Sequence, residues 1–251
     1  IGVILMLFGK YASRKSESAY PTLWDGLKAS YYLTKQSPSG LKAYDFSGNN
    51  RTMSLATPAN WSRNGYTVSS GVYGTIPASA ITSITGGFSV VIRGKLAATT
   101  VEAYIFARQV TADQSMTIGI KDNKFMIFRG GFLLSSLAAV NGNTYTMILN
   151  HKNGVTTLWV DGTAQITSSA AVTSGSGPFY LGRWGGGGYQ QNGDFMGALI
   201  YDRGLSIGEI ALLSKQFDAP LKSKRFCRVM SGNSRVMSGN KRHRLLTGIG
   251  T

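Results

Sequence analysis

Between Phe88 and Gly162 the chain alternates apolar and polar residues in short runs separated by turn dipeptides, and few architectures accommodate that pattern. Phe88, Val90 and Ile92 alternate with Ser89, Val91 and Arg93. Met116, Ile118 and Ile120 alternate with Ser115, Thr117 and Gly119, and Tyr145, Met147 and Leu149 with Thr144, Thr146 and Ile148. Asp122-Asn123 leads into Lys124–Arg129, Asn153-Gly154 into Val155–Val160, and Asp161-Gly162 turns the chain again. Asn-Gly suits the two positive φ angles of a type I′ hairpin. Period-two patterning with turns about every 8 to 12 residues predicts an all-β antiparallel sandwich.

Composition agrees. Of 251 residues, 43% are hydrophobic and only 15% charged, with 32 glycines, where helix-rich soluble domains carry about 25% charge. One helix is signalled near the end of the domain. Ser206 and Glu209 form an S-x-x-E capping box, in which each side chain satisfies a backbone N–H left over at a helix start. Ile207, Ile210 and Leu213 then make an apolar stripe to lay on a sheet, and Pro220 closes the region.

The acid inventory excludes much chemistry. There are 11 carboxylates, three of them Glu (Glu17, Glu102 and Glu209). His151 and His243 are far apart and Cys227 is alone. No spacing of these groups resembles a zinc site, an EF-hand or a Cys-His pair, so no metal and no cofactor is predicted. One cysteine allows no internal disulfide, which fits production in a reducing cytoplasm. His151, beside a turn, is expected at the surface or an edge, and Cys227 is read as packing.

The net charge of +15 is concentrated in a tail. Residues 221–251 hold Lys222, Lys224, Arg225, Arg228, Arg235, Lys241, Arg242 and Arg244 and no acid. Within them Arg228-Val-Met-Ser-Gly-Asn233 recurs as Arg235-Val-Met-Ser-Gly-Asn240. Gly and Asn recur where a helix would be weakened, so each copy reads as a short extended piece ending in a turn. At the other end Ile1–Phe8 is apolar but far short of the roughly 20 residues that span a bilayer. Without a basic leader or small-residue cleavage site it is not a signal peptide, and it is expected to pack on its own domain or a neighbour. The organisation predicted is an N-terminal arm (1–20), a sandwich (21–218) and a basic C-terminal arm (219–251).

One segment has the composition of a binding loop. Gly182–Asp194 carries four consecutive glycines, two aromatic rings in Trp184 and Tyr189, and hydrogen-bonding groups in Arg183, Gln190, Gln191 and Asn192. Aromatics among Gly and Asn make adaptable recognition loops. Sugars suit them, because their C–H faces stack on rings. Arg183, Trp184, Tyr189, Gln190 and Asn192 are the glycan-binding candidates. No Gly-Lys-Ser/Thr follows, so this is not a phosphate loop.

Four motifs, in order, carry a resemblance: Asp45-Phe-Ser-Gly-Asn49, Leu158-Trp-Val-Asp-Gly162, Phe179-Tyr-Leu-Gly-Arg183, and Gly193 followed by Tyr201-Asp-Arg-Gly-Leu-Ser206 with Glu209-Ile210. Over about residues 22–216 the chain resembles the laminin-G-like, concanavalin A-like lectin jelly-roll domain, which implies two packed antiparallel sheets of roughly a dozen strands. Pro21-Thr-Leu-Trp24-Asp-Gly-Leu27 and Ser37-Pro-Ser-Gly40-Leu resemble the version found in tailed-bacteriophage virion proteins.

That resemblance implies a non-enzymatic virion structural protein, a capsid decoration or a tail or fibre component. Its basic arm, Lys222 to Arg244, would dock on an acidic lattice of other virion proteins through charge-assisted contacts and strand addition. The alternative is a glycan-binding adhesion module contacting host surface sugars. Nucleic acid is a weaker partner for the arm, since Phe226 is its one base-stacking ring. Glycoside hydrolases of this fold carry E-x-D-x-E on one strand, and no such cluster occurs. Some laminin-G domains bind calcium through clustered carboxylates. Here Asp45, Asp161, Asp194 and Asp202 are scattered, and calcium is not indicated.

Overall fold

The computed structural model describes residues 15, 18–36, 40–57, 60–81, 86–97, 100–108, 116–172, 177–185 and 188–222. In chain order, β1 (Leu27–Tyr32), β2 (Lys42–Ala43), β3 (Met53–Leu55) and β4 (Trp61–Ser62) precede β5 (Gly65–Val68) and β6 (Gly74–Ile76). Longer strands follow: β7 (Phe88–Leu96), β8 (Ala103–Arg108), β9 (Met116–Lys121), β10 (Lys124–Phe128), β11 (Phe132–Ala138), β12 (Thr144–Lys152), β13 (Val155–Val160) and β14 (Thr163–Ser168). Then come β15 (Phe179–Leu181), β16 (Gly193–Tyr201) and, alone among the described residues, one α-helix, α1 (Ile207–Lys215). The count exceeds a dozen because several strands are only two or three residues long.

The first sheet runs β14-β13-β12-β7-β16-β5-β4, with β1 also on β16, and the second runs β11-β10-β9-β8-β15-β6-β3-β2. All strand pairs are antiparallel. The two-residue turns behave as their sequences require. Asp122 and Asn123 (φ 52° and 55°), Asn153 and Gly154 (52° and 77°), and Asp161 and Gly162 (48° and 84°) all have positive φ, as hairpins with the sheet's own twist demand.

The period-two residues meet between the sheets. Phe88, Val90, Ile92, Met147, Leu149, Leu158, Ala198 and Ile200 of the first sheet pack in one cluster with Phe106, Ile118, Ile120, Phe125, Ile127 and Phe179 of the second. Register aligns them, with Val90 opposite Leu149 on one side and Ile200 on the other. Each of the larger side chains, fully buried, is worth about 1.5–3 kcal/mol relative to exposure.

A second apolar layer covers the outside of the first sheet. Val91, Ile148, Leu199 and Tyr201 alternate out of the core but are buried under Leu205, Ile210, Leu213 and Phe217. This is why Val91 and Ile148 are apolar in the outward set of their strands. The capping box forms as expected: Glu209 N–H donates to Ser206 Oγ at 3.3 Å, and Ser206 N–H to Glu209 Oε2 at 2.8 Å. The stripe is shifted, however. Ile207, the first helical residue, is 73% exposed, and the covering run is Ile210, Leu213 and Phe217.

Acidic and basic residues in and near the motifs that carry the resemblance act here as clasps. Asp45 accepts from Ser30 N–H and Ser47 N–H at 2.8 Å, from Ser47 Oγ at 2.8 Å and from Arg51 N–H at 3.0 Å, fastening its loop to β1. Asp161 Oδ1 accepts from Thr146 N–H at 2.8 Å, Asp194 Oδ1 from Thr67 Oγ1 at 2.6 Å, and Asp202 pairs with Lys28 at 2.7 Å. Arg203 bonds Glu209 and also the carbonyls of Thr22 and Asp25, joining the helix start to the 3-10 turn Pro21–Trp24. His151 is not at the surface. It is 8% exposed, stacked 5.3 Å from Phe88 and bonded through Nδ1 to Thr156 Oγ1 at 2.9 Å. Burial first, and the Arg129 charge second, pull its pKa down.

Candidate functional site

The loop of Gly182–Asp194 begins at a position only glycine fits. Gly182 has φ +90°, and a Cβ there would lie 2.3 Å from Val68 Cγ1. Its N–H donates to Ile105 O at 2.8 Å and its carbonyl accepts from Gln191 N–H at 3.0 Å, while Tyr104 N–H donates to Tyr189 O at 2.8 Å. The loop is therefore laid along β8 at the outer face of the second sheet. Gly186 and Gly187 lie outside the described residues.

There Trp184 meets residues that sequence patterning assigned to no site. Its ring centroid is 4.7 Å from that of Tyr104, over Met126 and Ala107. Tyr189 stands 6.2 Å from Tyr104 at 76° and is 56% exposed. It also holds φ +46°, a left-handed conformation uncommon for a residue with a bulky side chain. Arg183 lies over two further rings, 3.8 Å from the centre of Tyr73 and 4.9 Å from that of Tyr180. Tyr104, 3% exposed, donates its hydroxyl to Glu102. Burial, then the Glu102 hydrogen bond and charge, raise its pKa.

The five loop candidates thus separate by role. Trp184 and Tyr189 present ring surface, and Arg183 lies over Tyr73 and Tyr180 with its Nε lacking a hydrogen-bond partner among the described residues. Gln190 faces inward instead: its Oε1 accepts from Gly71 N–H at 2.8 Å and its Nε2 donates to Val72 O, so it braces the loop. Asn192 is exposed, and its carbonyl accepts from Ala97 N–H at 3.0 Å. Tyr104, Tyr73, Tyr180 and Glu102 join the site without having been expected. Glu102 and Tyr104, two apart and bonded through their side chains, were a readable signal. Tyr73 and Tyr180 come together through the β6–β15 pairing, which no local pattern specifies.

Of the eight arm residues, Lys222 is described and Lys224, Arg225, Arg228, Arg235, Lys241, Arg242 and Arg244 lie outside the described residues, as do Cys227, His243, both Arg-Val-Met-Ser-Gly-Asn copies and Ile1–Phe8. The chain leading to both arms is tied at one point. Ala19 N–H donates to Lys222 O at 2.7 Å, and Ser18 Oγ and Trp24 Nε1 donate to Pro220 O at 3.2 and 2.9 Å. This clasp adjoins Leu23 and Ala219 in the layer over the first sheet, on the opposite outer face from Trp184. Among the described residues no three His, Cys, Asp or Glu side chains gather as a metal site, and no helix is long and apolar enough to cross a membrane.

No family model and no curated protein matches the chain. Solved structures do. Trypanosoma rangeli sialidase in complex with sialic acid is similar at a TM-score of 0.60 and 16% identity, over 78% of this chain and 33% of that one. A mutant of that sialidase displaying trans-sialidase activity reaches 0.67 at 14% identity, over 86% and 39%. The binding domain of Paraclostridial Mosquitocidal Protein 1 gives 0.57 at 15%, over 78% and 53%. The chain spans about a third of the sialidases and half of the mosquitocidal binding domain. At such identities the likeness is one of fold, and the fold is an all-β jelly-roll sandwich of two antiparallel sheets with, among the described residues, one short helix.

Proposed function

We propose that this chain is a non-enzymatic structural component of a tailed-bacteriophage virion, a capsid decoration or a tail or fibre part, fastened to neighbouring subunits by its two arms. The observation that carries this reading is the Ala19–Lys222 hydrogen bond of 2.7 Å. It brings residues 19 and 222, near the roots of the two arms, together on one face, as an attachment end requires. The eight cations of residues 221–251 favour an acidic lattice as the partner. The test is co-sedimentation of the protein, with and without residues 223–251, on particles lacking it. Saturable binding that needs those residues supports attachment by the basic arm; equal binding of both forms removes the arm from the proposal.

A second reading is supported by the exposed Tyr189 beside Trp184 and Tyr104: the outer face of the second sheet is a glycan-binding adhesion surface. Similarity in fold to a sialidase and to a toxin's binding domain is consistent with it, though fold does not fix function. Hydrolysis by paired carboxylates is not supported by this arrangement. Glu102 is bonded to Tyr104 on the second sheet and Asp194 is held by Thr67 on the first, whereas a retaining glycosidase needs two carboxyl groups about 5–5.5 Å apart. Glycan-array binding that disappears in Tyr189→Ala while particle binding persists would separate the two readings.

A further inference from the structure

Beside the arm roots, over the outer face of the first sheet, lies a cavity of ≈ 270 Å³ whose charges are unbalanced. Lys35, Arg93, Lys215 and Lys222 line it with a single carboxylate, Asp218. Asp218 is already engaged, bonded to Lys35 Nζ at 2.8 Å and 3.9 Å from Lys222 Nζ. Lys222 also donates to Gln216 Oε1 at 2.9 Å. Lys215, in the last turn of α1, offsets the negative end of that helix but has no carboxylate partner among the described residues. Arg93 points outward from β7 and donates to the neutral Thr146 Oγ1 at 2.6 Å. A second observation points the same way. Tyr32 lines the cavity, is 1% exposed, and its hydroxyl has no hydrogen-bond partner among the described residues. A buried hydroxyl without a partner costs folding free energy, and burial holds this one protonated, as a donor.

We infer that this cavity is a site for a compact oxyanion, a carboxylate or a phosphate, received by Arg93 and Lys215 with Tyr32 as a neutral donor. Charge-assisted hydrogen bonds from guanidinium and ammonium are the strong ones for such groups. Its position at the clasp between Ala19 and Lys222 puts an anion-dependent contact next to both arm roots. The site stands on its own residues and does not depend on a virion as the place of attachment.

The test is amide NMR of the full chain titrated with inorganic phosphate, with sodium chloride of equal ionic strength as the reference, and separately with pentaglutamate. Expected are saturable shifts of Gln216, Phe217 and Asp218 in phosphate with a dissociation constant of about 1 mM or below, absent in chloride. Lys215→Gln and Arg93→Gln should each weaken binding about tenfold, the effect of losing one charge-assisted hydrogen bond. Lys215 is exposed at a helix end, so its variant keeps the fold and decides if Arg93→Gln does not. Saturation by pentaglutamate at the same amides makes a protein carboxylate the source, and saturation by phosphate alone makes it a free anion; both uphold the site. Shifts equal to those in chloride, or an unchanged affinity in Lys215→Gln, overturn it.

Discussion

The Trp184 ring lies 4.7 Å from that of Tyr104, tilted by 40°, so an exposed loop is anchored by one aromatic residue and displays a second, Tyr189. The two rings of the loop should therefore separate in mutagenesis. Tyr189→Ala removes a 56% exposed ring and should leave thermal stability within about 2 °C of the parent while, under the glycan-binding reading, abolishing glycan-array signal. Trp184→Ala uncovers Met126 and Ala107 and should cost about 2 kcal/mol as well. Melting curves alongside binding distinguish them.

Gln190 and Asn192 divide in the opposite sense. Gln190→Ala deletes both bonds to residues 71 and 72 and should destabilise by about 1–2 kcal/mol in urea unfolding. Asn192→Ala retains its backbone bond to Ala97 and should fall within about 0.5 kcal/mol. Any loss of binding in Asn192→Ala is then a contact effect, whereas one in Gln190→Ala reflects a displaced loop.

Asp45→Ala should be among the most damaging changes at an acidic residue. It strands the N–H groups of Ser30, Ser47 and Arg51, and a loss of about 3 kcal/mol or more is expected. Asp45→Asn, matching the shape but lacking the second acceptor, should fall between, as read from denaturant midpoints at constant slope.

Gly182→Ala should cost more than about 2 kcal/mol. Strain at φ +90° adds to a Cβ placed 2.3 Å from Val68. Gly71→Ala, also at positive φ but with nothing near the new methyl, isolates the conformational part alone. Comparing the two melts gives the steric part.

Acid should weaken the fold in two separable stages. His151 has its pKa pulled below the ordinary 6.5 by burial and by Arg129. The unfolded chain then takes up a proton that the folded one refuses, so stability is whole above about pH 6.5 and falls as pH drops below it. Glu209 follows at lower pH. Burial alone would raise its pKa, but hydrogen bonds from Arg203 and Ser206 and the Arg203 charge outweigh it and hold the carboxyl below its ordinary value. Its contribution is present above about pH 4.5 and is lost as pH falls through the folded value. Urea midpoints against pH should lose the upper stage in His151→Gln and most of the lower stage in Glu209→Gln.

Much of the sandwich was legible because its signals are local. Alternation in β7, β9 and β12, and the turn dipeptides at 122–123, 153–154 and 161–162, depend on neighbours one or two positions away. The Ser206–Glu209 box is equally local. What sequence concealed depends on layers. Ile207 belongs to the apolar spacing yet sits beyond the sheet, and His151 beside its turn is covered by stacking on Phe88. In the candidate site, Trp184 and Tyr189 were conspicuous for their glycines, but Tyr73, Tyr104 and Tyr180 read as ordinary strand residues. Only the pairing of β15 with β6 and β8 collects them on one face.

The tie between Ala19 and Lys222 has a mechanical side. Tension applied between the two ends of the described chain meets that bond and the two donors on Pro220 before any strand is disturbed. A pull on Tyr189 relative to the same ends runs along the chain through Gly193 into β16, which is hydrogen-bonded to β1, β5 and β7. Under the proposed attachment through both arms, yielding under force should begin at the clasp between Ala19 and Lys222 rather than within the sandwich.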